Sequence, residues 1–157
     1  MRSLQTWFDE YGESHRHPTN VAIHWVCVPL IMFATLGLAF ALPRPELFAA
    51  IGPRLGNWAM VLIVLALGWY AVLSWRIALG MALVTALMVA AMHPLAKLPW
   101  PFWWTCLAIF VAAWLGQFVG HKVEGRKPSF VKDLAFLLVG PAWLLAKLYR
   151  RVGVAYE

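Results

Sequence analysis

The chain has 157 residues, of which 62% are hydrophobic and 13% charged. A soluble globular domain is nearer half apolar and a quarter charged, so this composition excludes an ordinary water-soluble fold and points to a bilayer protein. The net charge of +6 does not argue for a nucleic-acid partner, because the Lys and Arg fall in short stretches between apolar runs, where they read as topology signals and phospholipid contacts.

In chain order, Leu4, Trp7, Phe8 and Tyr11 alternate at helical spacing with Asp9, Glu10 and Glu13. That pattern predicts an amphipathic N-terminal helix with a solvated acidic face. No cleavable leader is expected, since the first long apolar run begins only near Val21, after an acidic and histidine-rich stretch. Four runs then approach the ~20 residues a helix needs to cross a bilayer. They cover about 21–42, ended by Pro43-Arg44-Pro45; 57–75; 77–92, set apart from the second by Arg76; and 102–120, after the Pro99-Trp100-Pro101 break. They must be helices, because lipid offers backbone groups no other partner. Trp58, Trp75, Trp100, Trp103 and Trp104 stand where an interfacial belt belongs. A fifth run, 134–148, is interrupted by Gly140-Pro141 and is too short to cross comfortably. It is expected to be re-entrant or interfacial, lying as a lid over a site. The predicted fold is one all-α integral membrane domain, residues 1–157. It is a four-helix transmembrane bundle with an N-terminal amphipathic helix and a C-terminal re-entrant or interfacial helix. Cys27 and Cys106 lie in apolar runs and read as small buried thiols rather than a disulfide.

With four crossings, one side collects Arg2, Arg16, Arg76, Lys122, Arg126, Lys127, Lys132, Lys147, Arg150 and Arg151, and the other only Arg44, Arg54 and Lys97. The positive-inside rule then puts both termini in the cytoplasm, in a bacterial inner membrane or an endoplasmic reticulum membrane. The same topology brings His15, His17, His24 and His121 to one face and leaves His93 on the other.

Two motifs carry the chemistry. In His15-Arg-His-Pro-Thr-Asn20-Val-Ala-Ile-His24, Pro18 suits the first turn of a helix. Asn20 and His24 are then i and i+4 on one face, and His15 must arrive from a loop. In Gln117-Phe-Val-Gly120-His121-Lys-Val-Glu124, Gln117, His121 and Glu124 share a face, and Gly120 lets another backbone or a ligand approach. Ionisable groups at a lipid boundary are costly and mark function, and imidazole is the commonest metal ligand. The expected site is a three-histidine metal centre of His15, His24 and His121. His17 sits beside His15 on the same loop, and such a centre needs only one of the two. Glu124 is expected as a fourth ligand or as the group that orients a ligand histidine. Asn20 and Gln117 suit hydrogen bonding to a ligand or substrate. Lys122 and Arg126 meet phosphates or attract a substrate carboxylate. The plain alternative is that these histidines snorkel to headgroups and water. His93, before Pro94, reads as a capping or interfacial residue, and Cys27, one turn after His24, as packing.

The patterns Tyr11-x-x-x-His15-x-x-Pro18-x-Asn20-x-x-x-His24-x-x-x-x-Pro29 and Trp114-x-x-Gln117-Phe118-x-Gly120-His121-x-x-Glu124-x-x-x-Pro128 resemble those of the membrane 2-hydroxy fatty acid dioxygenase family. These are fungal-type α-oxidation enzymes, formerly a domain-of-unknown-function family. The match runs in order through most of the chain, with one departure: Ser129 stands where the family often has alanine. The resemblance implies an Fe2+-dependent oxidoreductase that shortens a 2-hydroxy fatty acid by one carbon with O2, in contact with membrane lipid and without a separate organic cofactor. Ferrous iron held by neutral imidazoles suits this, because it keeps positions open for O2 and a hydroxy-carboxylate. Three other readings compete. A di-iron lipid hydroxylase wants more histidines than five, in clustered HxxxH and HxxHH patterns. A non-catalytic structural membrane protein would carry its histidines at headgroup level. A transporter wants midplane charges or an inverted repeat.

Overall fold

Asn57 and Ser74 decide where the second apolar run begins and ends. Asn57 accepts a hydrogen bond from the Met60 amide and Ser74 one from the Ile77 amide, so each opens a helix as its N-cap. The computed structural model describes residues 2–52, 55–131 and 133–156; Arg54 and Lys132, both part of the charge asymmetry, lie outside the described residues. Six helices run in the order α1 (Leu4–Gly12), α2 (Pro18–Ala41), α3 (Trp58–Leu73), α4 (Trp75–Leu95), α5 (Phe102–Glu124) and α6 (Phe136–Arg151). Among the described residues there is no strand.

The helices α2, α4 and α5 are long and apolar enough to cross a membrane. The remaining expected crossing, α3, is a shorter apolar helix of 16 residues. Leu65, Leu79, Leu83, Leu87 and Leu115 all point outward and exposed. Such a continuous apolar exterior is what lipid, rather than water, would cover. Three expected boundaries move. The α3–α4 break falls at Ser74, because its side chain caps the next helix, and Arg76 lies inside the first turn of α4. The α4 helix runs through Pro94 to Leu95, since a proline in the last turn forfeits little. The α5 helix continues a full turn past Gly120 to Glu124 and stops at Gly125, whose φ of 72° is the left-handed conformation that glycine adopts freely.

Small residues let α2 and α5 lie close together along their length. A Cβ on Gly116 would sit 2.7 Å from the Cys27 sulfur, and one on Gly120 would sit 2.5 Å from Asn20 Oδ1. Both cysteines are buried and free. Two apolar clusters fill the bundle. One, at the end bearing the starts of α2 and α4, holds Phe8, Tyr11, Tyr70, Ile77, Val139 and Trp143. The other, at the opposite end, holds Leu36, Ala39, Ile63, Met92, Phe102 and Cys106.

As the amphipathic pattern predicts, Leu4, Trp7, Phe8 and Tyr11 of α1 are buried while Asp9 and Glu13 are exposed. They pack against α6, which Gly140-Pro141 does not break; Gly140 instead leaves room for the Tyr11 hydroxyl, 2.8 Å from where a Cβ would be. Three hydroxyls tie this layer to the α3–α4 hairpin. Tyr70 donates to the Leu138 carbonyl at 2.7 Å, Tyr149 to the Arg76 carbonyl at 3.1 Å, and Ser74 to the Tyr156 carbonyl. The helices α1 and α6 thus close over one end of the bundle.

Candidate metal centre

Beneath that cover, His15, His24 and His121 converge. All three are buried, and one ring nitrogen of each lies within 4.8 Å of the others. Their ring centroids are 4.3 Å apart for His15 and His24, 5.1 Å for His15 and His121, and 5.0 Å for His24 and His121. Three separate elements bring them in. His24 stands on the second turn of α2, His121 on the last turn of α5, and His15 on the loop between α1 and α2. Tyr11 steers His15: its ring stacks on the imidazole at 3.8 Å and 16°, and its carbonyl lies 2.5 Å from His15 Nδ1.

The hydrogen bonds fix the tautomers. His15 Nδ1 faces the Tyr11 carbonyl at 2.5 Å and His24 Nδ1 faces the Asn20 carbonyl at 2.8 Å. A carbonyl only accepts, so each Nδ1 carries the proton and each neutral ring presents a bare Nε2. Those two Nε2 atoms lie 2.9 Å apart. Two lone pairs at that separation repel unless a cation sits against both. His121 adds a third imidazole whose Nδ1 is buried without a partner. Burial, followed by the neighbouring His24, lowers the His15 pKa to about 3, so this ring is neutral at physiological pH, the state that binds metal. The donor set therefore fits a divalent transition metal held by His15, His24 and His121.

Glu124 is near but differently engaged. Its carboxylate accepts from the Arg16 amide at 3.0 Å, the His17 amide at 2.8 Å and Asn20 Nδ2 at 3.0 Å. It thereby caps the start of α2 from the end of α5, where the helix dipole favours an anion, and fastens the loop carrying His15. Asn20 is fully buried and extends the clasp, donating also to the Ser14 carbonyl at 3.1 Å. His17 is exposed and stands outside the cluster; its Nδ1 accepts from the Thr19 amide at 3.2 Å as the N-cap of α2. Lys122 and Arg126 are exposed, and neither lines the cavity described next. His93 is far from the cluster, against Phe40 near the other end of α2.

The three histidines open onto an apolar cavity of about 660 Å³. Gln117 lines it, one turn before His121; the residue is buried, yet its amide has no protein partner. The residues that sequence reasoning missed are supports. Tyr11 stands in the His15 motif at i, i+4, but its spacing alone gives it no role. Trp143, 5.7 Å from the His15 ring and 5.3 Å from Tyr11, gives no local signal, because it arrives from α6.

Residues 1–152 match the family described as 2-hydroxy-palmitic acid dioxygenase Mpo1-like. The chain belongs to that family. It is similar to the 2-hydroxy-palmitic acid dioxygenase MPO1 of Saccharomyces cerevisiae, with 28% identity over 156 residues, covering 98% of this chain and 83% of the yeast protein. No solved structure matches the chain. Kinship with a dioxygenase supports an oxidoreductase role for this Mpo1-like protein.

Proposed function

We propose that this Mpo1-like protein is an iron(II)-dependent dioxygenase that shortens 2-hydroxy fatty acids by one carbon, with its site at the cytoplasmic face of the membrane. One observation carries the metal part of this reading: two bare Nε2 atoms 2.9 Å apart, each backed by a carbonyl on its Nδ1. The family and the yeast relative support the reaction class. The charge asymmetry supports the cytoplasmic placement, since Arg76, Lys147, Arg150 and Arg151 flank the same end of the bundle as the histidines.

His15, His24 and His121 would hold the ferrous ion, which supplies O2 activation and a Lewis acid for a hydroxy-carboxylate head. The protein's own groups do the positioning. The carbonyls of Tyr11 and Asn20 hold two imidazoles in the ligating tautomer. Glu124 and Asn20 lock the loop that delivers His15. Gln117, Ser129 and Trp114 line the cavity with polar atoms that would hydrogen-bond the substrate head, and Ser129 Oγ and Trp114 Nε1 are buried without a partner. Lys122 and Arg126 would act only at long range, drawing a carboxylate to this face. The apolar walls hold the tail and keep water from the reacting end, while α6 and α1 roof it.

Anaerobic purification in detergent, with metal analysis and oxygen uptake on 2-hydroxypalmitate, tests the reading. About one iron per chain with a product one carbon shorter is the expected result. Folded protein that was never exposed to chelator and holds no metal would overturn it.

A further inference from the structure

The cavity that begins at the histidines runs far from them. It is lined along α2 from His24 to Leu36 and along α5 from His121 back to Phe110. At ~1.5 Å per residue, the stretch from His24 to Leu36 is about 18 Å long. Leu36 and Ile63 line its far end, each is 6% exposed, and both belong to the cluster with Met92, Phe102 and Cys106 that fills the bundle beyond. At this end Leu36 and Ile63 close the cavity toward the bundle interior, while Thr35 and Leu62 beside them are exposed.

We propose that Leu36 and Ile63 are the floor of an acyl channel and set the preferred length of the fatty acid at about sixteen carbons. The proposal rests on the hydroxy fatty acid reading above and adds the residues that measure the tail. The span gives the length. Three backbone bonds span at most ~3.3–3.6 Å when extended, so about 1.2 Å per bond makes 18 Å roughly fifteen bonds. The side wall is less complete than the floor, since Leu62 and Leu65 line the cavity yet are exposed on the outer surface of α3. A tail can enter sideways from lipid there, and a tail too long for the floor must bend out there. The floor therefore sets an optimum rather than an absolute bar.

Leu36→Ala and Ile63→Ala each lower the floor by about two carbons at ~1.2 Å per bond, and Ile63→Phe raises it. Thr35→Phe also raises it, from an exposed position that lines the same end and does not belong to the packed cluster. Each variant and the parent are assayed against 2-hydroxy acids of twelve to twenty carbons. Oxygen uptake gives the turnover profile, and displacement of a fluorescent fatty acid from metal-free protein gives the binding profile. The expected optimum moves up by about two carbons in the alanine variants and down in the phenylalanine variants. Unchanged profiles in active variants overturn the floor and leave the dioxygenase reading standing. Length-dependent binding that shifts as expected, without turnover of any hydroxy acid, keeps the channel and overturns the reaction. Neither binding nor turnover in the folded parent overturns both.

Discussion

The two ends of the α2–α5 pair each hold imidazole among apolar helices, buried at one end and half-buried at the other, with opposite consequences. At the start of α2, three rings from three elements meet, and two of them aim bare Nε2 atoms at one another 2.9 Å apart. Near the end of α2, His93 stands edge-on to Phe40 with centroids 5.5 Å apart. Its Nδ1 bonds to the Val89 carbonyl one turn back at 2.8 Å, and its Nε2 is buried without a partner. A single nitrogen holds no metal, and among the described residues His15, His24 and His121 form the one group that could. What separates the ends is convergence. Both His93 and His24 satisfy Nδ1 on a carbonyl of their own helix, but only His24 finds partners from another helix and a loop.

The largest test of this contrast is to remove a histidine at each end. His24→Ala or His121→Ala is expected to abolish metal loading and lower oxygen uptake by more than about 100-fold, since even the partners of metal ligands are worth about 10–100-fold. His93→Ala should leave metal content unchanged. Metal analysis on the purified variants reads both. Full loading in His24→Ala and His121→Ala would leave these histidines, like His93, as packing residues of the bundle.

Next in size is Glu124→Gln. The amide keeps one acceptor but sets its NH2 group against either the Arg16 amide or the His17 amide and Asn20 Nδ2, donors that need an acceptor. Metal affinity should fall about 10–100-fold, with faster hydrogen exchange at residues 14–17. A loss as complete as that of His24→Ala would make Glu124 a ligand instead of the clasp on the loop.

These two tests also mark what could be read from the sequence. The histidine end was legible because its determinants are local: Asn20 and His24 at i, i+4, and Gln117, His121 and Glu124 on one face of α5. The long apolar helices were legible for the same reason, since length and composition suffice. The partners were not. Whether Glu124 ligates or clasps depends on the Arg16 and His17 amides more than 100 positions away. Nothing in His15-Arg-His17 says which imidazole turns inward; that is decided by Tyr11 stacking and by Trp143 from α6. The floor at Leu36 and Ile63 is likewise a product of α2 meeting α3, visible only once the helices are packed.

A smaller effect separates the tight α2–α5 seam from the lipid-facing surface. Gly120→Ala would set a Cβ 2.5 Å from Asn20 Oδ1, and Asn20 is fully buried in the Glu124 clasp with little room to yield. Overpacking of this kind costs about 1–3 kcal/mol. Gly68, exposed on α3, has nothing within 4 Å of where a Cβ would be. Gly68→Ala should be neutral or stabilising by up to about 1 kcal/mol through helix propensity. Thermal unfolding of both variants in one detergent makes the comparison, and equal melting temperatures would mean that the seam is looser than the distances show.

The smallest effect belongs to His17, the histidine beside the site that does not enter it. His17→Ala removes the Nδ1 acceptor of the Thr19 amide at the start of α2. An N-cap truncation costs about 0.5–2 kcal/mol, and the low end applies here. The backbone amides of Arg16 and His17 keep Glu124 as acceptor whatever side chain position 17 carries. Metal content should therefore be that of the parent, with a slight drop in melting temperature. His15→Ala removes the ring whose Nε2 faces His24 and should behave like His24→Ala. If instead His17→Ala empties the site and His15→Ala does not, the loop turns the other way when metal is bound, and Tyr11 holds His15 only in the metal-free fold.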